Sequence, residues 1–271
     1  MPGGAGSLRS AEATDENCDF AKGFFTSVML RRDGHGWHQV PVPNAGRVYQ
    51  VSASGPEDAW ASTDCGLLHW DGSSWASVPY DPIPGAEQSG TGPIKAVGPK
   101  DAWLAGSTYD SATEVMRGFV QRWDGRHWRD ARLPALGDDF TLDGIDARGP
   151  RDVWAVGTDY TSADADREHL LLLHWNGHRW ASAKVPDGPG ELMDVAVNGG
   201  RALAVGDTFS PSESDYTMYV LRRTASGWRT DAAPAGTASL FGLAPVPGGG
   251  LWSVGTTGGD QHMRPLIARR K

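Results

Sequence analysis

Three stretches of the sequence decide the fold: GPEDAWAS (55–62), GPKDAWLAGS (98–107) and GPRDVWAVGT (149–158). Two degenerate copies follow, NGGRALAVGD (198–207) and PGGGLWSVGT (247–256), and successive copies begin 43 to 51 residues apart. Repeats of this length are typical of β-propellers, in which each repeat forms one four-stranded blade around a central axis. The sequence therefore predicts an all-β protein with five blades of antiparallel strands.

A second motif follows each of the first four copies and contains a hairpin turn. Three of its copies carry Trp-Asp-Gly or Trp-Asn-Gly, a strong hairpin signal because both turn residues adopt positive φ. The copies are LLHWDGSSWASVP (67–79), FVQRWDGRHWRDARLP (119–134), LLHWNGHRWASAKVP (172–186) and VLRRTASGWRTDAAP (220–234). Each blade is thus predicted to contain strands a, b, c and d, with a Gly-Pro-x-Asp turn between a and b.

The two ends of the chain predict how the ring closes. An orphan copy of the second motif, MLRRDGHGWHQVPVP (29–43), precedes the first blade, whereas the last blade ends after strand c. We expect the N-terminal strand over 36–42 to complete the last blade, which removes exposed sheet edges. A sixth, incomplete blade is the alternative. The predicted organisation is a polar tail over 1–23 and a single propeller domain over 24–271.

The repeat explains most of the chemically conspicuous side chains. All twelve tryptophans fall on repeat positions, which favours packing between blades over a stacking platform for sugars or bases. His69 and His174 share a position that Arg122 and Arg222 occupy in other blades. Because arginine does not coordinate metals, this position is not a metal ligand.

The GPxDxWAVG and HWDGxxW units resemble the propeller repeats of actinobacterial proteins and, more distantly, kelch and tectonin-type lectin propellers. The resemblance covers 29–270 and implies a bacterial protein with a propeller fold. It implies almost nothing about activity, because propellers host lectins, hydrolases, oxidases and scaffolds. The kelch Gly-Gly doublet after strand b is missing, and the Trp-Asp pairs lie in hairpin turns, unlike those of WD repeats.

Charge and hydropathy exclude two partner classes. The formal net charge of −8 argues against nucleic acid, which binds a basic surface. No apolar run is long enough to span a bilayer, and the N-terminus lacks the apolar core of a signal peptide. We therefore expect a soluble cytoplasmic protein with no membrane partner. A disulfide between Cys18 and Cys65, the only cysteines, would instead indicate an extracellular protein.

The loops at the two ends of the blades differ in length and charge. The a–b and c–d turns are short and uniform, whereas the b–c and d–a connections are long, irregular and acidic. Divergent loops on a rigid scaffold are where binding sites are usually built. Because these loops differ from blade to blade, we expect one asymmetric site rather than one sugar site per blade.

Strand a lines the central channel, so its ionisable residues could meet at the channel mouth. Paired carboxyl groups there could work as a protonated acid and an ionised base. The candidate catalytic residues are Asp143, Glu191 and Asp194, and the alternative is that they are hydrogen-bonded structural carboxylates. The candidate ligand-binding residues are Tyr49, Lys95, Asp159, Asp207, Phe241 and His262.

These features lead to three hypotheses about function. The first is a propeller that binds a polar small molecule, a glycan or a protein partner on its acidic long-loop face. The second is an enzyme that processes a small metabolite, as a lyase, cyclase or glycoside-processing protein, and the third is an interaction scaffold. We predict no metal or cofactor; the alternating carboxylates of 164–168 leave Ca²⁺ as an alternative, although they lack the glycine and spacing of an EF-hand.

Overall fold

A computed structural model describes residues 22–23, 26–78, 88–89, 92–161, 168–186, 190–210, 215–233, 237–246, 249–257 and 264–270. These residues form 22 strands in six sheets and no long helix. The N-terminal hairpin consists of β1 (Met29–Arg32) and β2 (Trp37–Val40). The other five sheets are the five predicted blades, so the fold class, an all-β five-bladed β-propeller, is confirmed.

The blades follow one another along the chain, and every pair of neighbouring strands is antiparallel. Blade 1 contains β3 (Val48–Gly55), β4 (Asp58–Thr63), β5 (Gly66–Trp70) and β6 (Trp75–Val78). Blade 2 contains β7 (Gln88–Ser89), β8 (Ile94–Gly98), β9 (Asp101–Asp110), β10 (Val115–Trp123) and β11 (Trp128–Asp130). Blade 3 contains β12 (Gly144–Gly149), β13 (Asp152–Asp159), β14 (His169–Trp175) and β15 (Trp180–Ser182).

Blade 4 contains β16 (Glu191–Asn198), β17 (Arg201–Ser210), β18 (Asp215–Thr224) and β19 (Gly227–Thr230). Blade 5 contains β20 (Thr237–Pro245), β21 (Leu251–Thr257) and β22 (Arg264–Arg270). Strand a is therefore β3, β8, β12, β16 and β20 in successive blades. It packs against strand a of the next blade from blade 1 through blade 5.

Tryptophans connect neighbouring blades, as the repeat predicts. The tryptophan of strand b packs edge-on against the tryptophan that opens strand d of the next blade. The pairs are Trp60 with Trp128, Trp103 with Trp180 and Trp154 with Trp228, with ring centroids 5.0 to 5.6 Å apart. All six residues are at least nine-tenths buried. The core is therefore a series of layers between blades rather than one central cluster.

The expected closing strand takes a different position. Among the described residues β2 pairs with β1, and β20–β22 remains a three-stranded sheet without a strand from the N-terminus. The hairpin packs instead on blade 1, where Met29 joins Ala61 and Leu68 in one cluster. Hydrophobic contact with blade 1 thus positions this segment, and the repeat pattern alone did not distinguish that contact from pairing with β22.

The two end faces of the blade series are exposed. Val254 of blade 5 and Val156 of blade 3 each lie two residues after the strand-b tryptophan of their blade. Val254 is 43% exposed, whereas Val156 is fully buried. Val51 of blade 1 is 51% exposed, and Ile145 at the same strand-a position of blade 3 is 3% exposed. Both end faces therefore carry apolar side chains that inner blades bury against a neighbour.

Two further observations concern compartment and membrane. Cys65 is disulfide-bonded, and Cys18 lies outside the described residues. Most of the predicted polar tail over 1–23 also lies outside them. Within the part of the chain that the structure describes, no helix has the length and hydropathy needed to cross a membrane.

We predict that Trp154→Ala lowers the free energy of unfolding by about 3–5 kcal/mol, because it leaves a cavity between blades 3 and 4. The matched control is Trp37→Ala on the hairpin, where the ring is 67% exposed and the change should cost little. Chemical denaturation followed by circular dichroism measures both. Equal losses of stability in the two variants would contradict the packing role of Trp154.

Candidate functional site

Strand a is bulged where it reaches the channel mouth on the long-loop side. In blades 1, 4 and 5 the pairing with strand b skips one residue, namely Tyr49, Met193 and Phe241. In blade 3 both Asp143 and Gly144 lie opposite Val156, and the Asp143 amide donates to its carbonyl at 2.8 Å. Four blades thus place an extra residue at the same level of the channel, and three of these residues are among the sequence-predicted site residues.

A glycine in strand b makes room for this bulge. A Cβ atom on Gly157 would lie 2.0 Å from the carbonyl oxygen of Thr141, and one on Gly206 would lie 1.8 Å from that of Glu191. The Val-Gly-Thr and Val-Gly-Asp ends of the repeat therefore permit a close approach that other residues would prevent. In blade 4 the approach brings Glu191 directly opposite Asp207.

Four carboxyl groups interact at this mouth. The pKa of Glu191 is raised to about 7. Burial is the largest cause, and the neighbouring carboxylates of Asp207, Glu168 and Asp143 contribute as well. A side-chain hydrogen bond joins Glu191 to Asp207, in which the protonated Glu191 is the donor. Near pH 7 Glu191 is therefore protonated in about half of the molecules, beside carboxylates that can accept hydrogen bonds.

Asp143 faces the channel from blade 3. Water reaches its side chain, but protein surrounds it on most sides, and this desolvation raises its pKa. The Thr141 hydroxyl donates a hydrogen bond to Asp143 Oδ2 at 2.7 Å, and this bond lowers the pKa of Asp143. Asp143 also contributes to the raised pKa of Glu191, so the predicted residues Asp143 and Glu191 belong to one electrostatic cluster.

Asp207 supplies the feature that most directly indicates a ligand. The residue is only 2% exposed, and burial raises its pKa, whereas side-chain hydrogen bonds with Ser239 and Glu191 lower it. Its Oδ1 atom nevertheless has no partner within hydrogen-bond distance and angle among the described residues. A buried acceptor without a partner costs about 1–3 kcal/mol. A donor supplied by a ligand would remove that cost.

Asp194, the third predicted catalytic residue, has a different environment. Its Oδ2 accepts the Leu243 amide of blade 5 at 2.7 Å, and its Oδ1 accepts the Val195 amide at 2.8 Å. Burial raises its pKa to about 7, although these two amides act in the opposite direction. Asp194 therefore connects blade 4 to blade 5.

Lys95 likewise forms a contact between blades. Its Nζ lies 2.5 Å from Oδ1 of Asp146 in blade 3, and the Asp146 carboxylate also accepts the Val197 amide of blade 4 at 2.6 Å. Asp146 is 6% exposed. These contacts occupy the polar atoms of Lys95 and Asp146 in the structure of the channel wall.

The remaining predicted residues are spread around the mouth. Tyr49 and Phe241 are 56% and 55% exposed on the bulges of blades 1 and 5. The Tyr49 hydroxyl contacts Asp64, and Arg47 Nη2 donates a hydrogen bond to the Tyr49 hydroxyl at 3.2 Å. Asp159 accepts the Thr161 amide at 2.9 Å, and His262 lies outside the described residues.

Sequence reasoning missed Tyr160 as a neighbour of the carboxyl cluster. Burial raises its pKa, and the carboxylates of Glu168 and Glu191 raise it as well. Its position, two residues after Thr158 at the end of strand b, carries no repeat signal. No group of three or more His, Cys, Asp or Glu residues suited to a metal ion occurs in the described ranges.

The aspartates of the Gly-Pro-x-Asp turns each accept a hydrogen bond from a side chain of strand c. Asp58 and Asp152 accept hydrogen bonds at 2.8 Å from His69 and His174, and Asp101 accepts one at 2.8 Å from Arg122. His and Arg alternate at this position of strand c, and both side chains carry N–H donors. This alternation in the sequence indicates an acidic partner that accepts the hydrogen bond.

Comparison with known proteins adds structures of low similarity. No protein-family model matches the chain, and no curated protein matches it. YCF48 bound to D1 peptide aligns with a TM-score of 0.48 and 13% identity over 88% of this chain and 69% of that one. An endo-arabinase from Bacteroides thetaiotaomicron gives 0.46 and 9% over 79% and 90%, and an endo-arabinanase from Bacillus licheniformis gives 0.40 and 14% over 89% and 92%. The resemblance to actinobacterial repeat proteins stays a prediction.

We predict that Glu191→Gln changes how stability depends on pH. The pKa of Glu191 is about 7 in the folded protein and 4.5 ordinarily, so its contribution to stability is fully present below pH 4.5 and is lost as pH rises through 7. The glutamine variant should therefore gain stability relative to the native protein between pH 5 and pH 8.

Denaturation midpoints of both proteins across this pH range measure the effect. Glu57→Gln, at an exposed turn position of blade 1, is the matched control, and its difference from the native protein should not vary with pH. A pH-independent difference for Glu191→Gln would contradict the protonated state that we assign to Glu191.

Proposed function

We propose that the propeller binds a polar, polyhydroxylated small molecule of glycan type at the channel mouth, through Asp143, Glu191 and Asp207. The observation that carries this proposal is the buried Asp207 Oδ1, which lacks a hydrogen-bond partner among the described residues. Binding sites for small ligands combine a few polar groups that fix orientation with apolar and aromatic walls. The mouth offers both kinds of surface.

The protonation of the cluster favours hydroxyl groups as the ligand chemistry. A protonated Glu191 is a donor, and the Asp207 and Asp143 carboxylates are acceptors, so the mouth pairs with groups that both donate and accept. Tyr49 and Phe241 are exposed at the same level of the channel and offer flat apolar surfaces. A cationic ligand is the competing class, and it would ionise Glu191 on binding.

A second candidate function is catalysis by the same carboxyl groups on a small metabolite. The specific observation in its favour is the pKa of Glu191, about 7, because a group that titrates near the working pH transfers protons efficiently. In this reading Glu191 is the general acid and Asp143 or Asp207 is the ionised partner. Product formation from a bound glycan would separate this function from binding alone.

We predict that the triple variant Asp143→Asn, Glu191→Gln, Asp207→Asn loses binding of the glycan found by screening the native protein on a glycan array, by at least tenfold. The loss follows because the variant replaces the three carboxyl groups that we propose to contact the ligand. Isothermal titration measures the affinity. The variant should remain folded, because it removes like-charge repulsion and desolvation of carboxylates.

Two control variants make this test specific. Asp194→Asn alters the contact between blades 4 and 5 and should lower stability while keeping affinity. Asp138→Asn changes an exposed acid of the long-loop face, 89% exposed, and should change neither quantity. Unchanged affinity in the triple variant, or binding only of organic cations with release of a proton, would overturn the glycan proposal.

We also propose that the protein works in an oxidising compartment, because Cys65 is disulfide-bonded and disulfides are rare in reducing cytosol. Alkylation of the unreduced protein, purified from its native host, should leave Cys65 unlabelled in peptide mass spectra. Labelling of Cys65 without prior reduction would restore the cytoplasmic location expected from the N-terminal sequence.

A further inference from the structure

Blade 4 breaks a charge pattern that blades 1 to 3 share at the face opposite the mouth. In those blades strand b begins with an aspartate that pairs with a histidine or arginine of strand c, as Asp101 does with Arg122 at 2.8 Å. Arg201 occupies this position in blade 4, and the strand-c residue there is Arg222. Two like charges thus stand where blade 2 has the oppositely charged Asp101 and Arg122.

Two adjacent arginines of strand c, Arg222 and Arg223, have defined contacts. Arg222 Nε donates to Asp231 Oδ2 at 3.1 Å, and the guanidinium of Arg223 lies 4.9 Å from the ring centroid of Trp154. The backbone of Arg201 pairs with Asn198, and its guanidinium forms no hydrogen bond or ion pair with another described residue. Arg223 lies opposite Ala202 in the strand pairing, whereas Arg222 lies opposite Leu203, so the Arg223 guanidinium is on the blade 3 face. The Arg201 and Arg222 guanidinium groups and the Asp231 carboxylate carry a formal charge of +1.

These residues line a cavity of about 420 Å³ between blades 4 and 5, whose apolar wall is formed by Ala202, Leu203 and Leu251. Two departures from the repeat leave this space open. Leu203 stands where other blades have the strand-b tryptophan, and Gly250 adds no side chain at the start of β21. In the preceding interface the tryptophan Trp228 fills the corresponding slot against Trp154.

We propose that this arginine cavity, whose guanidinium groups are those of Arg201 and Arg222, binds the phosphate group of a small phosphorylated molecule. Guanidinium groups bind phosphate oxygens through paired N–H donors, and those of Arg201 and Arg222 match the two negative charges of a phosphate monoester. The volume exceeds that of a phosphate ion, so the apolar wall can contact the rest of such a molecule. The site is separate from the acidic mouth, because strand b runs from Arg201 at one end of the blade to Asp207 at the other.

The decisive variant is Arg201→Asp, which restores the residue type of the other blades. It should allow an Asp–Arg pair with Arg222 like that of blade 2, so the variant should be as stable as the native protein without ligand. Arg126→Asp in the exposed c–d turn of blade 2 makes the same charge change on the same face and is the matched control.

Inorganic phosphate and ribose 5-phosphate are the probes, with sodium chloride at equal ionic strength as the reference. We expect both phosphates to raise the Tm of the native protein and of Arg126→Asp in a concentration-dependent way, and the shift to vanish in Arg201→Asp. Isothermal titration should show affinity for ribose 5-phosphate reduced at least tenfold in Arg201→Asp. The triple variant of the mouth should keep this binding, which separates the two sites.

Two results would overturn the proposal: equal Tm shifts in phosphate and in chloride, or a phosphate shift retained by Arg201→Asp. Arg201→Gln serves as a second variant if the aspartate fails to fold, because it removes the charge without adding one. It should likewise abolish the phosphate-specific shift.

Discussion

The innermost strand of each blade has a sheet partner on one edge only, and the rest of the structure depends on how its other edge is satisfied. Buried backbone N–H groups without a hydrogen bond are costly. Here a polar side chain on strand a of one blade accepts a hydrogen bond from a backbone N–H group on strand a of the next blade. The contacts are Gln50 to Ile94, Ser52 to Ala96, Asp146 to Val197 and Asp194 to Leu243, at 2.6 to 3.0 Å.

This constraint separates two kinds of carboxylate that the sequence presents alike. Asp146 and Asp194 lie within regular strand a, where the neighbouring edge supplies amide donors, and both are therefore structural. Asp143 lies on the bulge, and Glu191 stands at the start of β16, where the glycine of strand b draws the two strands together. Register, rather than residue type or distance along the chain, decides which acids are available to a ligand.

The sequence predicts the parts of this molecule that arise from repetition. Trp60, Trp103 and Trp154 recur at one position because each fills the same slot between blades, and recurrence reveals such a position without any alignment. The approximate place of Asp143 and Glu191 followed from the same logic. The contacts of Asp194 and the position of the N-terminal hairpin could not be predicted in this way. They depend on which surface of the fold lies nearby in space, and the local sequence pattern does not contain that information.

Blade 4 is one of the two blades whose repeat motif is degenerate, and both proposed sites use it. Glu191 and Asp207 stand where blade 3 has Thr141 and Thr158, and Arg201 stands where blade 3 has Asp152. In a solenoid-like series each repeat position normally serves packing against its neighbours. A blade that abandons the shared residues loses the Asp–His pair and the strand-b tryptophan, so its charged substitutes require another source of compensation. A ligand at each end of blade 4, hydroxyl-bearing at the mouth and anionic at the arginine cavity, would supply it.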